Sequence, residues 1–337
     1  MIDYSHLRPF LFRLDPEQAH RLTLGLLRFA GNFAPARATL RALFDFQEPG
    51  LQVDAFGLRF KNPIGLAAGY DKNGIAVRGL SALGFGHIEV GTVTLRPQPG
   101  NPRPRIFRIP ESGALINRMG FPSDGVDALR IPKCDARMGI NIGKNKETPI
   151  ENAAEEYCAL VQRVHARADY IAINVSSPNT PDLRRLQARA AIAELLRAVA
   201  ATRDRLTPRV PLLVKIAPDL SNAEIDDIVA AVIDARLDGV IATNTTLSRE
   251  GISASVNEAG GLSGAPLRAR ATEVIRYLAT RTQLPIIGVG GIATPTDALE
   301  KLDAGAQLIQ IYTGLVYRGP GIVREINRAL ARRSTRG

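Results

Sequence analysis

The stretch LLVKIAPDLSNAEIDDIVAAVIDARLDGVIATNTT, residues 212–246, carries the pattern that decides the fold. Two short runs of apolar and β-branched residues, 212–216 and 239–243, enclose a longer segment of helical pattern. This alternation is typical of a strand, a crossover helix and a second strand parallel to the first. It predicts a parallel sheet.

The same alternation extends from Asn62 to near the C-terminus. It gives eight apolar runs, at residues 64–68, 87–91, 139–142, 170–175, 212–216, 239–243, 285–289 and 308–311. Eight strands in about 250 residues favour an α/β fold of the (β/α)8 TIM-barrel type over an open doubly wound sheet. The long interval between residues 91 and 139 requires an insertion, and its proline-rich start, residues 96–110, predicts an extended segment.

The first 45 residues predict a small N-terminal extension of two helices. One apolar face is formed by Leu7, Phe10, Leu11 and Leu14. Asp15 and Pro16 are typical of the start of a second helix, and Gly31 of its end. Arginines recur along both helices, so the residues alone allow a hairpin packed on its own domain or helices lying on a membrane surface.

Composition and charge exclude several classes of protein. A hydrophobic fraction of 45% and a charged fraction of 23% are ordinary for a globular chain and exclude disorder, collagen and a membrane-spanning bundle. The net charge of +10 is dispersed, without an aromatic–basic signature, so we expect no nucleic-acid partner. Two cysteines without C-x-x-C spacing give no support for a disulfide scaffold or a metal site and indicate a reducing compartment.

Polar side chains concentrate at the ends of the predicted strands, where TIM barrels place their chemistry. Lys215 lies inside the fifth strand, where burial without a partner is costly, so we expect it to face an anion or an electron-rich ring. Glycines follow the seventh predicted strand, and others are Gly260, Gly261, Gly264 and Gly314. Such loops bind phosphate through backbone N–H groups, which predicts a phosphate-bearing cofactor across the mouth, its ring toward Lys215 and Asn141.

Seven blocks of sequence carry a resemblance to a known family. They are GLAAGYDKNG, EVGTVTLRPQPGNPRPR, NRMGF, GINIGKNK, NVSSPNT, VKIAPDL and IATNTT, in this order. From about Leu11 to the end the chain resembles the dihydroorotate dehydrogenases, flavin enzymes of pyrimidine biosynthesis. Ser177 precedes Pro178 where soluble class 1 forms have cysteine, and with the N-terminal extension this resembles class 2, which reduces quinone.

The resemblance implies that FMN accepts hydride from dihydroorotate, giving orotate, and that a membrane quinone reoxidises it. It divides the chain into residues 1–45, a domain resting on the membrane and opening a quinone tunnel, and residues 46–337, the catalytic barrel. It implies a monomer bound peripherally to the cytoplasmic face of the cell membrane.

The resemblance also assigns residues. Ser177 is the base that removes the C5 proton, Thr180 with bound water relays that proton, and Lys215 stabilises charge on the reduced ring. The FMN site comprises Ala68, Gly69, Lys72, Thr92, Asn141, Asn174, Lys215, Thr243, Gly264, Gly291, Tyr312 and Thr313. The substrate site comprises Lys72, Asn117, Arg118, Met119, Gly120, Phe121, Asn174, Asn179, Asn244 and Thr245. The candidate tunnel residues are His20, Arg108 and Tyr312, and no metal ion is implied.

Other interpretations compete with this one. A soluble fumarate- or NAD-linked relative is disfavoured by Ser177 and by the extension. A Schiff-base aldolase or phosphosugar isomerase would use Lys215 or Lys72 without flavin. A lipid-binding module without catalysis would leave Lys215 without a role. The pair Pro122–Ser123 departs from the family pattern, which usually has asparagines there, so contacts beyond Phe121 stay open.

Overall fold

The computed structural model describes residues 4–334. Its strands in chain order are β1 (Val53–Ala55), β2 (Leu58–Phe60), β3 (Ile64–Leu66), β4 (His87–Val93), β5 (Ile106–Ile109), β6 (Ala114–Asn117), β7 (Arg137–Ile142), β8 (Tyr170–Asn174), β9 (Leu212–Ile216), β10 (Gly239–Ala242), β11 (Gly261–Gly264), β12 (Ile286–Val289) and β13 (Leu308–Ile311). Its helices are α1 (Tyr4–Arg13), α2 (Pro16–Asn32), α3 (Ala34–Phe44), α4 (Val77–Ser81), α5 (Ala153–Val164), α6 (Arg189–Arg203), α7 (Asn222–Asp234), α8 (Arg268–Arg281), α9 (Pro295–Asp303), α10 (Thr313–Arg318) and α11 (Gly321–Ser334).

Eight parallel strands close into a barrel in the order β3, β4, β7, β8, β9, β10, β12, β13. Each corresponds to one of the eight predicted runs, so the predicted TIM barrel is confirmed. The strands are buried throughout because helices cover their outer face, which explains why they read as continuous apolar runs.

Two apolar cores hold the barrel together. The larger lies between the sheet and the surrounding helices. The smaller fills the barrel interior with residues such as Tyr170, Leu213 and Ile241, and the β1–β2 hairpin closes its base with Phe56 and Phe60. Side chains therefore fill the barrel interior below the carboxyl ends of its strands.

The insertion between β4 and β7 is extended, as predicted, but it also builds a second sheet. Antiparallel β5 and β6 pair with each other, and β6 pairs with β11, which follows β10 far along the chain. This sheet stands over the carboxyl ends of the barrel strands, since Ile106, Leu115, Asn117 and Ser263 on one of its faces line the pocket there.

The N-terminal extension has three helices, so the prediction of two was wrong. Asp15 caps α2 as predicted, accepting hydrogen bonds from the backbone N of Glu17 and Gln18, both at 3.0 Å. The helix does not end at Gly31 but continues to Asn32 and stops at extended Phe33. Gly31 instead lets α2 approach α4, because a Cβ there would overlap the backbone N of Gly79. None of the helices in residues 4–334 is long and apolar enough to cross a membrane.

Candidate active site

The site is a pocket at the carboxyl ends of the barrel strands, roofed by the β5–β6–β11 sheet. The space between its lining residues is about 1110 Å³, open solvent at the mouth included. Most of the predicted site residues line it: Ala68, Gly69, Lys72, Thr92, Asn117, Met119, Gly120, Phe121, Asn174, Ser177, Asn179, Lys215, Thr243, Asn244, Thr245, Gly264, Gly291, Tyr312 and Thr313.

Five predicted residues do not line the pocket. Asn141 is buried behind Thr92, Thr180 lies further along the Ser177 loop, and His20 and Arg108 lie toward the N-terminal helices. Arg118 turns away, because its guanidinium pairs with Glu258 at 2.6 Å and lies 4.5 Å from the centre of the Phe107 ring. The Arg118 side chain therefore faces away from the pocket, and its predicted place in the substrate site stays a prediction.

Lys215 forms the floor of the pocket and has a partner that the sequence did not reveal. Its Nζ lies 3.6 Å from Oε1 of Glu89 on β4, and both side chains are buried. The same carboxylate accepts hydrogen bonds from Asn141 Nδ2 and Gln310 Nε2, both at 2.8 Å. A glutamate inside a predicted barrel strand, HIEVGTV, was the signal that could have identified it.

A chain of amides and two hydroxyls fixes one side of the pocket. Thr92 Oγ1 donates to Asn141 Oδ1 at 2.6 Å and accepts from Asn174 Nδ2 at 3.0 Å. Asn244 Nδ2 donates to Asn174 Oδ1 at 3.2 Å and to Ser176 Oγ at 2.9 Å. Each amide is thereby oriented by a side chain from another barrel strand or its exit, so the pocket presents fixed donors and acceptors.

Ser177 lies on the loop after β8 and faces the pocket. Its Oγ accepts a hydrogen bond from the backbone N of Asn179 at 3.3 Å, and Asn179 Nδ2 donates to Asn117 O at 3.0 Å. Thr180 Oγ1 is buried and has no hydrogen-bond partner in the structure. An orphaned buried hydroxyl is costly, so it indicates a place for a water or ligand atom.

Arg184 fastens this loop to its neighbours and was not predicted. Its Nε donates to Ser176 O at 3.0 Å, its Nη2 to Thr245 O at 2.9 Å, and its Nη1 pairs with Asp219 at 2.7 Å. Since those contacts lie after β8, β9 and β10, Arg184 joins three strand exits. No local sequence signal identifies it, because two of its three partners are 35 and 61 residues away.

Lys72 places its ammonium group in the pocket, and the described residues provide no counterion for it. Among the described residues it has neither a hydrogen bond nor an ion pair. Burial, and then the charge of Arg105, lower the pKa of Lys72 to about 8. A buried, unpaired ammonium of this kind favours an anionic ligand, whose negative charge would raise that pKa again.

The opposite end of the pocket is built from backbone. Gly264, Gly290 and Gly291 have positive φ angles of 99°, 127° and 72°. α10 begins at Thr313, whose hydroxyl lies 2.9 Å from that of Ser263. Glycine loops after the last barrel strands, beside a short helix start, form the arrangement in which TIM barrels hold phosphate.

Aromatic rings connect the pocket with the N-terminal helices. Tyr312 lines the pocket, its ring centre lies 5.8 Å from that of Tyr70, and Tyr70 lies 4.9 Å from His20 on α2. Burial, and then the charge of Lys72, lower the pKa of His20 to about 4, so this imidazole is neutral at pH 7. Arg108 donates to Leu14 O at 2.9 Å and lies 4.6 Å from the centre of the Phe12 ring.

Comparison with known proteins identifies the family to which this site belongs. The model of the family described as dihydroorotate dehydrogenase matches residues 50–333. The chain belongs to the dihydroorotate dehydrogenase family. The dihydroorotate dehydrogenase (quinone) of Methylococcus capsulatus is 51% identical over 98% of this chain and 99% of its own. That of Acidithiobacillus ferrooxidans is 50% identical over 96% and 93%.

A solved structure agrees with these relatives. DHODH from Eimeria tenella in complex with ferulenol has a TM-score of 0.87 and 36% identity, covering 100% of this chain and 96% of its own. The class indicated by Ser177 and the N-terminal extension, the quinone-dependent dihydroorotate dehydrogenases, is thus confirmed. The chain is an oxidoreductase and a flavoprotein by family.

Proposed function

We propose that this chain oxidises dihydroorotate to orotate in pyrimidine biosynthesis, with FMN as hydride acceptor and a membrane quinone as final electron acceptor. The observation that carries the proposal is the meeting in one pocket of Ser177, an unpaired Lys72, the oriented asparagines and Lys215. The Schiff-base and lipid-binding alternatives leave Ser177 and the asparagines without a role.

The residues of the pocket fit FMN. The positive-φ glycines after β12 and at the end of β11, with Thr313 at the start of α10, offer backbone N–H groups to the phosphate. Gly69, Thr92 and Asn174 line the part of the pocket nearer Lys215, where the ring would lie, with Asn141 behind them. When bound, the flavin supplies the acceptor for the hydride from C6 of the substrate.

The substrate would be held by one cation and several amides. Lys72 is the free cation for the dihydroorotate carboxylate, and Asn117, Asn174, Asn179 and Asn244 provide donors and acceptors for its amide ring. The backbone of residues 117–121 would close the site. The pair Pro122–Ser123, which departs from the family pattern, turns away from it, because Ser123 pairs with Gln98 through backbone hydrogen bonds of 2.9 and 3.0 Å.

Ser177 Oγ would take the C5 proton of the substrate. A serine hydroxyl is a weak base and acts only if it passes its own proton on. Thr180 would receive that proton through a bound water, and its buried Oγ1, which lacks a hydrogen-bond partner among the described residues, supports this role. Lys215 would meanwhile hold a positive charge below the ring, where negative charge accumulates on reduction.

The N-terminal extension, residues 1–45, would rest on the membrane, with residues 46–337 as the catalytic domain. Its helices expose large apolar side chains, Leu7, Phe10, Leu14, Leu22, Leu26, Phe29 and Phe33, beside exposed Arg13, Arg21 and Arg28. An apolar face flanked by arginines suits an anionic interface. Quinone would reach the flavin past His20, Arg108 and Tyr312, in a monomer on the cytoplasmic face of the cell membrane.

An anaerobic visible spectrum tests this function. We expect the purified protein to be yellow, to bleach when dihydroorotate is added, and to recover its colour with a water-soluble quinone analogue. A yellow protein that dihydroorotate does not bleach would contradict the substrate. A colourless chain that cannot be reconstituted with FMN would contradict the cofactor.

A further inference from the structure

Glu89 lies beneath Lys215 and does not reach the pocket. It is fully buried inside the barrel, while Lys215 lines the pocket above it. Its Oε1 faces Lys215 and Asn141, and its Oε2 accepts from Gln310 Nε2 at 2.8 Å and from Tyr170 Oη at 3.3 Å. Both carboxylate oxygens thus accept hydrogen bonds, which hold the group in one position.

Stability alone does not account for this buried pair. Removing two charges from water costs about as much as their attraction returns, and apolar side chains of similar volume often serve as well. The apolar core of the barrel interior, with Ala172, Leu213, Ile241 and Ile287, shows that such side chains pack well there. Glu89 therefore contributes something that packing does not, and the group it acts on is Lys215.

With a flavin bound as proposed, the pair would also determine the charge next to its ring. Lys215 by itself would place a full positive charge there and would strongly favour the negative charge that reduction adds to the flavin. A carboxylate 3.6 Å from the ammonium offsets much of that field. Electrons would then be held less tightly and would pass on more readily to the quinone.

We propose that Glu89 is a positioning residue that offsets the charge of Lys215 and thereby lowers the reduction potential of the bound flavin. This inference rests on the proposed flavin site and extends it to a residue that touches neither flavin nor substrate. Burial and the adjacent Glu89 raise the pKa of Tyr170, which keeps that phenol protonated as a donor to the carboxylate.

The test is the midpoint potential of the bound flavin, measured by equilibration with redox dyes in holoenzyme carrying Glu89→Gln. This change preserves shape and removes one negative charge. We expect the equilibrium constant for reduction to rise about tenfold, a shift of about +30 mV for a two-electron couple. Glu89→Asp keeps the charge but draws it back from Lys215, so its potential should lie between wild type and Glu89→Gln.

Tyr170→Phe is the matched control. It removes a hydrogen bond from the same carboxylate without changing any charge, and we expect an unchanged potential. An unchanged or lower potential in Glu89→Gln would overturn the inference. If that variant retains no flavin, a Glu89→Asp potential equal to or below wild type overturns it instead. A wild-type protein that binds no flavin would contradict the proposed function, whereas yellow wild type with an unshifted variant contradicts this inference alone.

Discussion

We expect the Thr180 hydroxyl to contribute little to the stability of the fold, so a substitution can test its role in proton transfer. Its hydroxyl is buried without a partner, so replacing it by the isosteric Thr180→Val should cost the fold little. We predict that flavin content is retained and that flavin reduction by dihydroorotate slows by about ten- to a hundredfold, because the proton on Ser177 loses its exit. Stopped-flow bleaching measures this rate.

Thr180→Ser is the control, since it keeps the hydroxyl and should stay within a few fold of wild type. Equal rates in Thr180→Val and wild type would exclude Thr180 from the proton path.

His87 makes the stability of the barrel dependent on pH. Burial lowers the pKa of His87 to about 3, and within residues 4–334 neither ring nitrogen has a hydrogen-bond partner. The unfolded chain binds the proton below about pH 6.5 and the folded chain does not, so stability is complete above that pH and falls as the pH drops toward 3. At pH 5 the loss from this residue is about 2 kcal/mol.

His87→Phe should remove that loss, since the ring remains and the titration disappears. Urea unfolding at pH 7 and pH 5 measures the difference. An equal fall in the free energy of unfolding in both proteins would assign the pH dependence to other groups.

Single residues were predictable from sequence when their chemistry was visible locally. Ser177 and Lys72 stand in blocks of polar residues at strand exits, and both line the pocket. The contacts of Glu89 and Arg184 were not predicted, because they form only when the barrel closes. Closure brings Glu89 on β4 close to Lys215 on β9 across the interior. The outward direction of the Arg118 side chain could not be predicted, because a continuous block of sequence does not reveal which of its side chains face the pocket.

At the scale of elements, the packing of α2 on α4 depends on a glycine contact. A methyl group at Gly31 would overlap the backbone of Gly79, so Gly31→Ala should destabilise the protein by about 1–3 kcal/mol. We also expect weaker quinone reduction with flavin reduction preserved, since the change displaces α2 and not the pocket. Thermal unfolding and the two half-reactions measure these effects.

Gly25 in the same helix is the matched control. No atom lies within 4 Å of a Cβ at this position, so Gly25→Ala should be neutral or stabilise α2 by up to about 1 kcal/mol. Equal destabilisation by both substitutions would show that the close contact does not matter.

Elements were predictable where one pattern dominated. The eight barrel strands are apolar on both faces and bounded by turn residues, so their positions agree within a few residues. The third N-terminal helix and the β5–β6–β11 sheet were missed for different reasons. Gly31 was interpreted as a helix end, whereas it allows α2 to pack closely against α4. Strand β11 pairs with β6, about 145 positions earlier, and no local sequence pattern indicates such a pairing.

At the scale of the whole molecule, the exposed apolar side chains of α1 and α2 form the face that we propose to bind the membrane. Leu26 and Phe29 are 59% and 67% exposed. We predict that Leu26→Ser with Phe29→Ser weakens binding to anionic lipid vesicles by more than about tenfold, because each apolar side chain contributes roughly 1.5–3 kcal/mol when buried. Cosedimentation measures the loss.

Ile233, 52% exposed on α7, provides the control, since Ile233→Ser removes a similar apolar side chain from a barrel helix. The two N-terminal changes should leave bleaching by dihydroorotate intact. Equal losses of vesicle binding in both proteins would show that the N-terminal face is not the contact surface.

The central claim is that Ser177 works as the base in a flavin barrel, and single-turnover bleaching tests it most directly. Wild type and Ser177→Ala, each loaded with flavin, are mixed anaerobically with dihydroorotate and followed in the visible spectrum. We predict equal flavin content and a rate in Ser177→Ala lower by about 10² to 10⁴. Bleaching of Ser177→Ala at the wild-type rate would contradict the account.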